Sequence, residues 1–457
     1  MAQRTQDRTH MMSADVSIQQ PARRPRVRLF LMMLLQLFIW GAWLPLIFGY
    51  LPTLGFSPIE QSWILNAFPV AAIVGLFFSN QFADRNFAAE RFLSFSHLIG
   101  GLSLFGLTLA TDFWPFLILM WVHCLFYVPT LSITNSIAFA HLKDPASEFG
   151  PIRMGGTLGW ILAAWPFAFI LVDWEAVRAA EPDGLIDLIG TALGAGLTGD
   201  ALRAATPWTF RVAGIASLAL AVYALFLPHT PARKAESDSM DKLAWLEAAR
   251  LLRHPFILVL WIVTLADSFV HNAFFNWAAV FFGSEAVGIP GNWIMPVMSI
   301  GQVAEIVTMV VLGTVLKKLG WRVTMMVGIL GYALRFAVFA WFPEATVLIV
   351  LVNLVHGICY AFFFATVYIF VDAYFPADVR SSAQGLFNVM ILGVGALIAN
   401  SLCPWLLQTV YTVDGITDFK SMFMIPMTIS ILAALLLAFG FRPPSDVSQS
   451  DPYRGVQ

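Results

Sequence analysis

The sequence predicts an all-α polytopic membrane protein, with twelve transmembrane helices in two six-helix bundles and both termini in the cytoplasm. Of its 457 residues, 59% are hydrophobic and only 12% are charged, whereas soluble domains carry about a quarter charged residues. Apolar runs long enough to cross a bilayer, about 17–25 residues, recur along the whole chain. Because a backbone in lipid must satisfy its hydrogen bonds internally, we expect these runs to be helices and not strands.

The chain begins with a polar, arginine-rich segment, residues 1–28, which we interpret as a cytoplasmic tail because no cleavable signal pattern is present. The predicted spans are 29–50, 61–82, 93–110, 115–140, 152–172, 207–228, 256–282, 292–316, 323–341, 346–371, 383–410 and 421–441. They divide into an N-terminal bundle, 29–228, and a C-terminal bundle, 256–441, followed by a second tail, 442–457.

The positions of Lys and Arg set the orientation of these spans. With the N-terminus in the cytoplasm, 21 of the 26 Lys and Arg residues fall in inside segments and four in outside segments. Cytoplasmic segments carry the excess of basic residues in membrane proteins. The counts therefore place both termini inside.

Two connections are longer than the others. The cytoplasmic linker, 229–255, is charged, and leucines among the charges of its second half indicate an amphipathic helix on the membrane surface. The 173–206 connection is rich in Ala and Gly and is expected to face outward. Its composition predicts no chemistry.

Several function classes find no support in the sequence. The net charge of −2 gives no electrostatic basis for binding nucleic acid. Metal-ligand spacings, a phosphate-binding loop and a catalytic nucleophile motif are all missing, so we expect neither an enzyme nor a metal or other cofactor. The three cysteines, Cys124, Cys359 and Cys403, lie in apolar runs without CxxC spacing and are interpreted as buried hydrophobic residues. No obligatory protein partner is evident.

Two six-span bundles joined by a cytoplasmic linker resemble the major facilitator superfamily, in which substrate binds between the halves near the membrane midplane. Short loops at equivalent places support an internal repeat: "NQFADRNFAAER" (80–91) and "GTVLKKLGWR" (313–322). The first is similar to the superfamily's Gly-x-x-x-Asp-Arg loop and keeps Asp84 and Arg85. The resemblance implies a carrier that works by alternating access.

The predicted eighth span contains an amide and a carboxylate, Gln302 and Glu305, three residues apart on one helix face. A charge at membrane depth costs roughly 2.5 kcal/mol or more, so such groups usually face a cavity or a partner. Glu305 could carry a proton or bind a polar ligand. Alternatively, the two residues could be a helix-packing pair satisfied by a neighbour such as Arg335.

The fifth span carries Arg153, Thr157 and Trp160 on one stripe, at i, i+4 and i+7. They could line a site, or Arg153 could be a positive-inside anchor and Trp160 a core aromatic. Gly155 and Gly159 on the same helix are explained by close helix packing alone.

Two further spans combine titratable and polar groups. In the seventh, Asp267, His271 and Asn272 cluster, and the i, i+4 spacing allows Asp267 and His271 to pair with each other. In the tenth, His356 and Tyr360 share a face and could either recognise a ligand or stabilise packing. His97 and His123 lack partner spacing, and we interpret both as structural.

Several stretches, in order along nearly the whole chain, resemble the nucleoside:proton symporter family of the major facilitator superfamily. They are "LQLFIWGAWL" (35–44), "FYVPTLSITNSIAF" (126–139), "PIRMGGTLGW" (151–160), "MSIGQVAEI" (298–306), "LRFAVFA" (334–340), "RSSAQGLF" (380–387) and "GITDF" (415–419). The resemblance implies a nucleoside site between the halves. The residues it places there are Arg153, Thr157, Trp160, Asn272, Gln302, Glu305, His356 and Tyr360.

The chain departs from the family pattern at positions that bear on coupling. Ala361 stands where the family's tenth span has an Asp expected to act with the eighth-span Glu in proton coupling, and Phe269 stands where a Gln is expected. Either Glu305 couples alone, or His271, Asp267 or His356 substitutes, or the carrier is a uniporter.

The function expected is secondary active import of nucleosides, coupled to protons, in the plasma (inner) membrane of the cell. The alternatives are a carrier of the same fold for another small polar solute such as a sugar, an efflux carrier, a proton-independent nucleoside facilitator, and a membrane receptor or scaffold without transport activity. Polar faces on several helices and the lack of a soluble signalling domain favour a carrier over the last of these.

Overall fold

The computed structural model describes residues 25–75, 87–142, 145–232, 250–375 and 380–443. These residues are almost entirely helical. Among them, eight helices are long and apolar enough to cross a membrane. The chain therefore has the structure of an integral multi-pass membrane protein, as its composition predicts.

The first part of the chain, up to residue 232, forms eleven α-helices in the described residues. A Ser57–Glu60 capping box starts α2 immediately after Gly55, whose positive φ of 83° makes the turn out of α1. The helices are α1 Pro25–Thr53, α2 Pro58–Leu65, α3 Ala67–Val74, α4 Ala89–Leu107, α5 Phe113–His141, α6 Pro145–Ala164, α7 Phe167–Ile170, α8 Trp174–Ala179, α9 Gly184–Gly194, α10 Gly199–Ala205 and α11 Trp208–Ala224.

The 173–206 connection is folded, although its composition predicted only a loop. Three short helices, α8, α9 and α10, occupy it, and a bridge between Val172 and Gly196 closes its base. Val177 and Ala192 are buried against Val172 in a small core of their own. Burial of these side chains gives the connection a fixed shape.

The second part of the chain begins with a 3-10 turn, Leu251–Arg253, and contains helices α12 to α19. The α-helices are α12 Pro255–Phe282, α13 Gly291–Trp341, α14 Thr346–Val352, α15 Val355–Cys359, α16 Thr366–Tyr374, α17 Arg380–Asn388, α18 Gly395–Trp405 and α19 Phe419–Gly440. Three π-helical turns, Tyr360–Ala365, Val389–Val394 and Leu406–Val410, interrupt them, and a small hairpin joins β1, Thr412–Val413, to β2, Ile416–Thr417.

Helix α13 contains the predicted eighth and ninth spans in one run. Its backbone turns at Gly320, where φ is 72° and ψ is 171°, a conformation that a residue with a Cβ rarely adopts. The two arms on either side of Gly320 coincide with the predicted spans 292–316 and 323–341. One arm, before this turn, holds Gln302 and Glu305, and the other, after it, holds Arg335.

The two halves of the molecule hydrogen-bond to each other at one end, which we name the loop end because the 173–206 connection lies there. The amide of Asn66 donates to Ser401 Oγ at 2.9 Å, and the amide of Gln408 donates to Gln61 Oε1 at 2.8 Å. Asn292, buried at the start of α13, donates to the Ala168 carbonyl at 3.2 Å. In the described part of the chain, every hydrogen bond between the halves lies toward this end.

Some predicted features lie outside the described residues. Asp84 and Arg85 of the first repeat loop are among them, and so is most of the linker, 233–249.

Candidate functional site

Two glycines of helix α6 pack closely against α1. The polar stripe of α6 therefore faces away from α1. A Cβ on Gly155 would lie 2.6 Å from the Phe30 carbonyl oxygen, and one on Gly159 would lie 2.0 Å from the Leu34 carbonyl oxygen. This contact fixes the rotation of α6. The side chains of its stripe, Arg153, Thr157 and Trp160, are left half-buried.

Trp160 is at the centre of an aromatic row that connects the two halves. Its ring meets the edge of Trp40 at 5.3 Å and that of Phe275, on α12, at 6.2 Å. Trp40 in turn stacks on Phe68 at 4.4 Å. These rings form an apolar wall suited to a flat aromatic ligand.

Gln302 and Glu305 differ in how their polar atoms are satisfied. Gln302 is buried, and its amide nitrogen is best placed to donate to the Met298 carbonyl oxygen of its own helix, at 2.9 Å. Glu305 is half-buried and makes no hydrogen bond among the described residues. Its carboxylate is therefore the group of this pair whose hydrogen-bonding capacity is unused among the described residues.

The charge that acts on Glu305 comes from the opposite half of the molecule. Arg153 attracts Glu305 electrostatically, and both charges also act on the Tyr360 hydroxyl. Arg335 hydrogen-bonds His356 and not Glu305, so the neighbour suggested from the sequence does not satisfy this carboxylate. Arg153, Glu305 and Tyr360, which sequence reasoning assigned to one site, are thus within electrostatic range of one another.

The first arm of α13, which is the predicted eighth span, packs closely against the predicted tenth span, 346–371. This contact brings Glu305 near His356. A Cβ on Gly357 would lie 2.4 Å from the Glu305 backbone nitrogen, and one on Gly301 would lie 2.8 Å from His356 Cβ. Tyr360 begins a π-helical turn one turn further along, a distortion that is frequent at functional sites. Ala361 is fully buried in an apolar cluster with Leu312.

His356 is buried and held by Arg335. Arg335 Nη1 donates to His356 Nδ1 at 3.1 Å, so His356 is neutral at this nitrogen and carries its proton on Nε2. Phe274 lies 3.8 Å from the guanidinium carbon and His271 stacks on the His356 ring at 5.4 Å.

Asp267 and His271 do not pair, although their i, i+4 spacing allows it. His271 Nδ1 instead meets the Tyr332 hydroxyl at 2.6 Å. Asp267 is 1% exposed, and neither of its carboxylate oxygens has a hydrogen-bond partner. Spacing along one helix permits a contact, but neighbouring helices decide which partner each side chain meets.

The remaining residues singled out in the sequence make hydrogen bonds or pack within their own half of the molecule. The Asn272 amide donates to the Ser268 carbonyl of its own helix at 2.8 Å, and Phe269 is 8% exposed. In the N-terminal half, His97 meets Gln36 and Ser217, while His123 meets the Gly100 carbonyl. These bonds account for both buried histidines as structural residues.

Three groups near the site were not predicted from the sequence. Trp40 and Phe275 extend the aromatic row around Trp160, and Tyr368, whose hydroxyl donates to Asn388 Oδ1, lies within the field of Arg153. Trp40 and Phe275 are apolar residues in apolar runs, so no sequence signal separates them from core. Asn388, in contrast, is a polar residue within the predicted span 383–410, and this polarity at membrane depth could have indicated a residue near the site.

Comparisons with known proteins agree with this architecture. A family model described as nucleoside H+ symporter matches residues 24–446. The chain is 28% identical over 424 residues to the putative nucleoside transporter YegT of Escherichia coli, covering 90% of this chain and 93% of that protein. It is also 28% identical over 439 residues to the xanthosine permease of E. coli, covering 91% and 96% of the two chains.

A crystal structure of a mutant of the nucleoside transporter NupG superposes with a TM-score of 0.76 at 25% identity, covering 91% of this chain and all of that one. This is the major facilitator fold. Because the family model covers almost the whole chain, the protein is a membrane transporter and belongs to the nucleoside H+ symporter family.

Proposed function

We propose that this protein imports nucleosides by alternating access, with uptake coupled to protons. The observation that carries the proposal is the arrangement at the interface of the halves, where Arg153 and Glu305 attract each other beside the aromatic row of Trp160. A nucleobase needs an aromatic wall, and ribose hydroxyls need charged or amide acceptors. Both are present on facing helices.

The proposed binding residues share this interface or the helices that form it. Thr157 lies on the stripe of Arg153, while Asn272 and Gln302 supply amides whose oxygens are not committed to their own helices. His356 supplies an Nε2 hydrogen, and Tyr360 a hydroxyl. The proposed residues are Arg153, Thr157, Trp160, Asn272, Gln302, Glu305, His356 and Tyr360.

For the proton, the proposed carriers are Glu305, His271 and Asp267. Glu305 is favoured for direct coupling to substrate, because it is the half-buried carboxylate at the interface and lacks a hydrogen bond. A carboxyl that binds a proton loses its charge, so proton and substrate can change the same electrostatic contact with Arg153.

The proposed topology has twelve spans, cytoplasmic termini and a plasma (inner) membrane location. The excess of Lys and Arg on one side supports this orientation. The loop end then faces outward and is sealed by contacts between the halves, so the conformation described is closed to the outside. Substrate would shift the populations of the open states by binding them unequally.

Uptake of labelled uridine, adenosine and glucose, with and without an uncoupler, tests the proposal in cells that express the chain. We expect nucleoside accumulation that the uncoupler abolishes. Glucose uptake alone would instead favour a sugar carrier. If nucleosides only equilibrate across the membrane and the uncoupler has no effect, the proposed substrate class would stand and proton-driven transport would be rejected.

A further inference from the structure

The interior of the C-terminal half contains two buried ionisable side chains that are not among the proposed substrate-binding residues. Asp267 on α12 is 1% exposed and Arg335 on α13 is fully buried. Both Asp267 oxygens, and Nε and Nη2 of Arg335, lack hydrogen-bond partners. Buried polar groups are normally satisfied, and unpaired buried charges are especially costly.

These two residues are close enough to attract each other, yet they are not in contact. The guanidinium acts electrostatically on the Asp267 carboxylate, but its one hydrogen bond goes to His356 and its face lies on Phe274. An arginine stays charged in proteins. The carboxyl is therefore the member of the pair that can become neutral when the two are apart.

We propose that Asp267 carries a proton during transport and that Arg335 is its counter-charge, in contact with Asp267 when the carboxylate is ionised and apart from it, as here, when it is protonated. This inference rests on the proposed function. The family pattern places a second proton-coupling carboxyl, an Asp, at the position that Ala361 occupies in this chain. We assign the role of that carboxyl to Asp267 on α12.

Arg335 connects this pair to the substrate site. It holds His356 through Nδ1, and His356 contacts the eighth-span helix at Gly301, one turn from Glu305. If Arg335 moves to an ionised Asp267, His356 loses the donor that fixes its tautomer and orientation. The proton state of Asp267 therefore changes a proposed ligand of the substrate.

The proton balance of the step is simple. One proton from water on the entry side binds an oxygen of Asp267, and the same proton leaves to water on the opposite side. Only an O–H bond forms and breaks. The carboxylate left behind closes on Arg335 and restores a neutral pair.

Other titratable groups surround the pair in the described structure. They are His271 on α12, Tyr332 on α13, and His356, Cys359 and Tyr360 on the tenth-span segment. His271 and Tyr332 are bonded to each other, and Nδ1 of His356 is occupied by Arg335. Asp267 is the carboxyl of this group, and neither of its oxygens has a hydrogen-bond partner among the described residues.

The test compares two activities of purified protein in liposomes: accumulation of labelled uridine or adenosine driven by an imposed pH gradient, and counterflow exchange without a gradient. Asp267→Asn should reduce accumulation to the equilibrium level while counterflow continues. Asp414→Asn, at an exposed position of the C-terminal hairpin, is the matched control and should accumulate normally. Accumulation by Asp267→Asn at the wild-type level would overturn the proposal.

The double variant Asp267→Asn with Arg335→Gln removes both buried charges together, so neither is left without its counter-charge. It therefore separates a loss of proton coupling from a folding defect. We expect counterflow to continue, with a weaker apparent affinity because His356 loses the donor on Nδ1, and accumulation to stay absent. Restored accumulation would show a purely structural ion pair and would overturn the proposal, as would loss of counterflow in this double variant. Absence of nucleoside counterflow in the wild type would refute the proposed function itself, which is a separate outcome.

Discussion

At the scale of single residues, Trp160 contacts Trp40 and Phe275 at the interface of the halves, and it is the proposed binding residue that we expect to stack on a nucleobase. Trp160→Ala should raise the apparent KM for a nucleoside by about fivefold to 150-fold, since base–aromatic stacking is worth about 1–3 kcal/mol per base. Concentration-dependent uptake of labelled uridine and adenosine measures this change.

Two control variants show whether a change in KM for Trp160→Ala comes from the loss of the aromatic ring at this position. Trp160→Phe keeps an aromatic face and should retain most of the affinity. Trp114→Ala removes a tryptophan that is 68% exposed, far from the aromatic row, and should leave KM unchanged. Equal KM values for Trp160→Ala and the wild type would remove Trp160 from the site.

Glu305 differs from Trp160 in that its charge can change during the cycle. Glu305→Gln keeps the shape but can neither ionise nor release a proton, so uptake against a gradient should stop. Accumulation in cells, with surface expression measured in parallel, checks this. Glu344→Gln, at an exposed carboxylate between two spans, is the control, and unchanged accumulation by Glu305→Gln would make Glu305 structural.

At the scale of helices, much of the fold could be predicted because the bilayer restricts the choices. Apolar length predicted the arms of α13 on both sides of Gly320, whereas the orientation inferred from Lys and Arg stays a prediction. The fold of the 173–206 connection could not be predicted, because its small core depends on a bridge between Val172 and Gly196 that only the chain path creates.

The residues of the candidate site remain a prediction from the sequence, and the pairings among their side chains could not be predicted at all. Helical spacing placed Arg153, Thr157 and Trp160 on one stripe. It could not show that Arg335 binds His356 and that Tyr332, not Asp267, binds His271. Those contacts join different helices, and no period within one helix contains them.

Contact between the eighth- and tenth-span helices depends on Gly357. An alanine Cβ there would lie 2.4 Å from backbone atoms of Ala304 and Glu305, which cannot rotate away. Gly357→Ala should therefore destabilise the protein by about 1–3 kcal/mol, the usual cost of overpacking. Thermal unfolding of the purified protein in detergent measures it.

Gly150→Ala is the control for Gly357, because nothing lies within 4 Å of an added Cβ at that helical position. Alanine stabilises a helix relative to glycine by up to about 1 kcal/mol, so this variant should unfold at the same temperature or slightly higher. A Gly357→Ala protein as stable as Gly150→Ala would contradict the close helix contact.

At the scale of the whole molecule, transport by alternating access requires the seal at the loop end to open. The seal consists of polar side-chain pairs, such as Asn66 with Ser401 and Gln61 with Gln408. Hydrogen bonds of this kind contribute only about 0.5–1.5 kcal/mol each. A few such bonds can hold the ends together and still be broken in every cycle.

A reversible cross-link across this seal should stop transport. In the variant with Asn66→Cys and Ser401→Cys, a thiol cross-linker would join side chains whose native atoms are 2.9 Å apart. Uptake should fall in proportion to the fraction cross-linked and return when the link is cleaved. The native cysteines, Cys124, Cys359 and Cys403, are buried and should react little with the reagent.

The control places the same chemistry within one half. Thr412→Cys with Thr417→Cys replaces hydroxyls 2.8 Å apart in the C-terminal hairpin, and its cross-link should leave uptake unchanged because both residues move together. Full uptake by cross-linked protein carrying the Asn66 and Ser401 substitutions would mean that the loop end stays closed throughout transport. The alternating-access cycle would then be wrong for this chain, since a permanently sealed end admits no substrate.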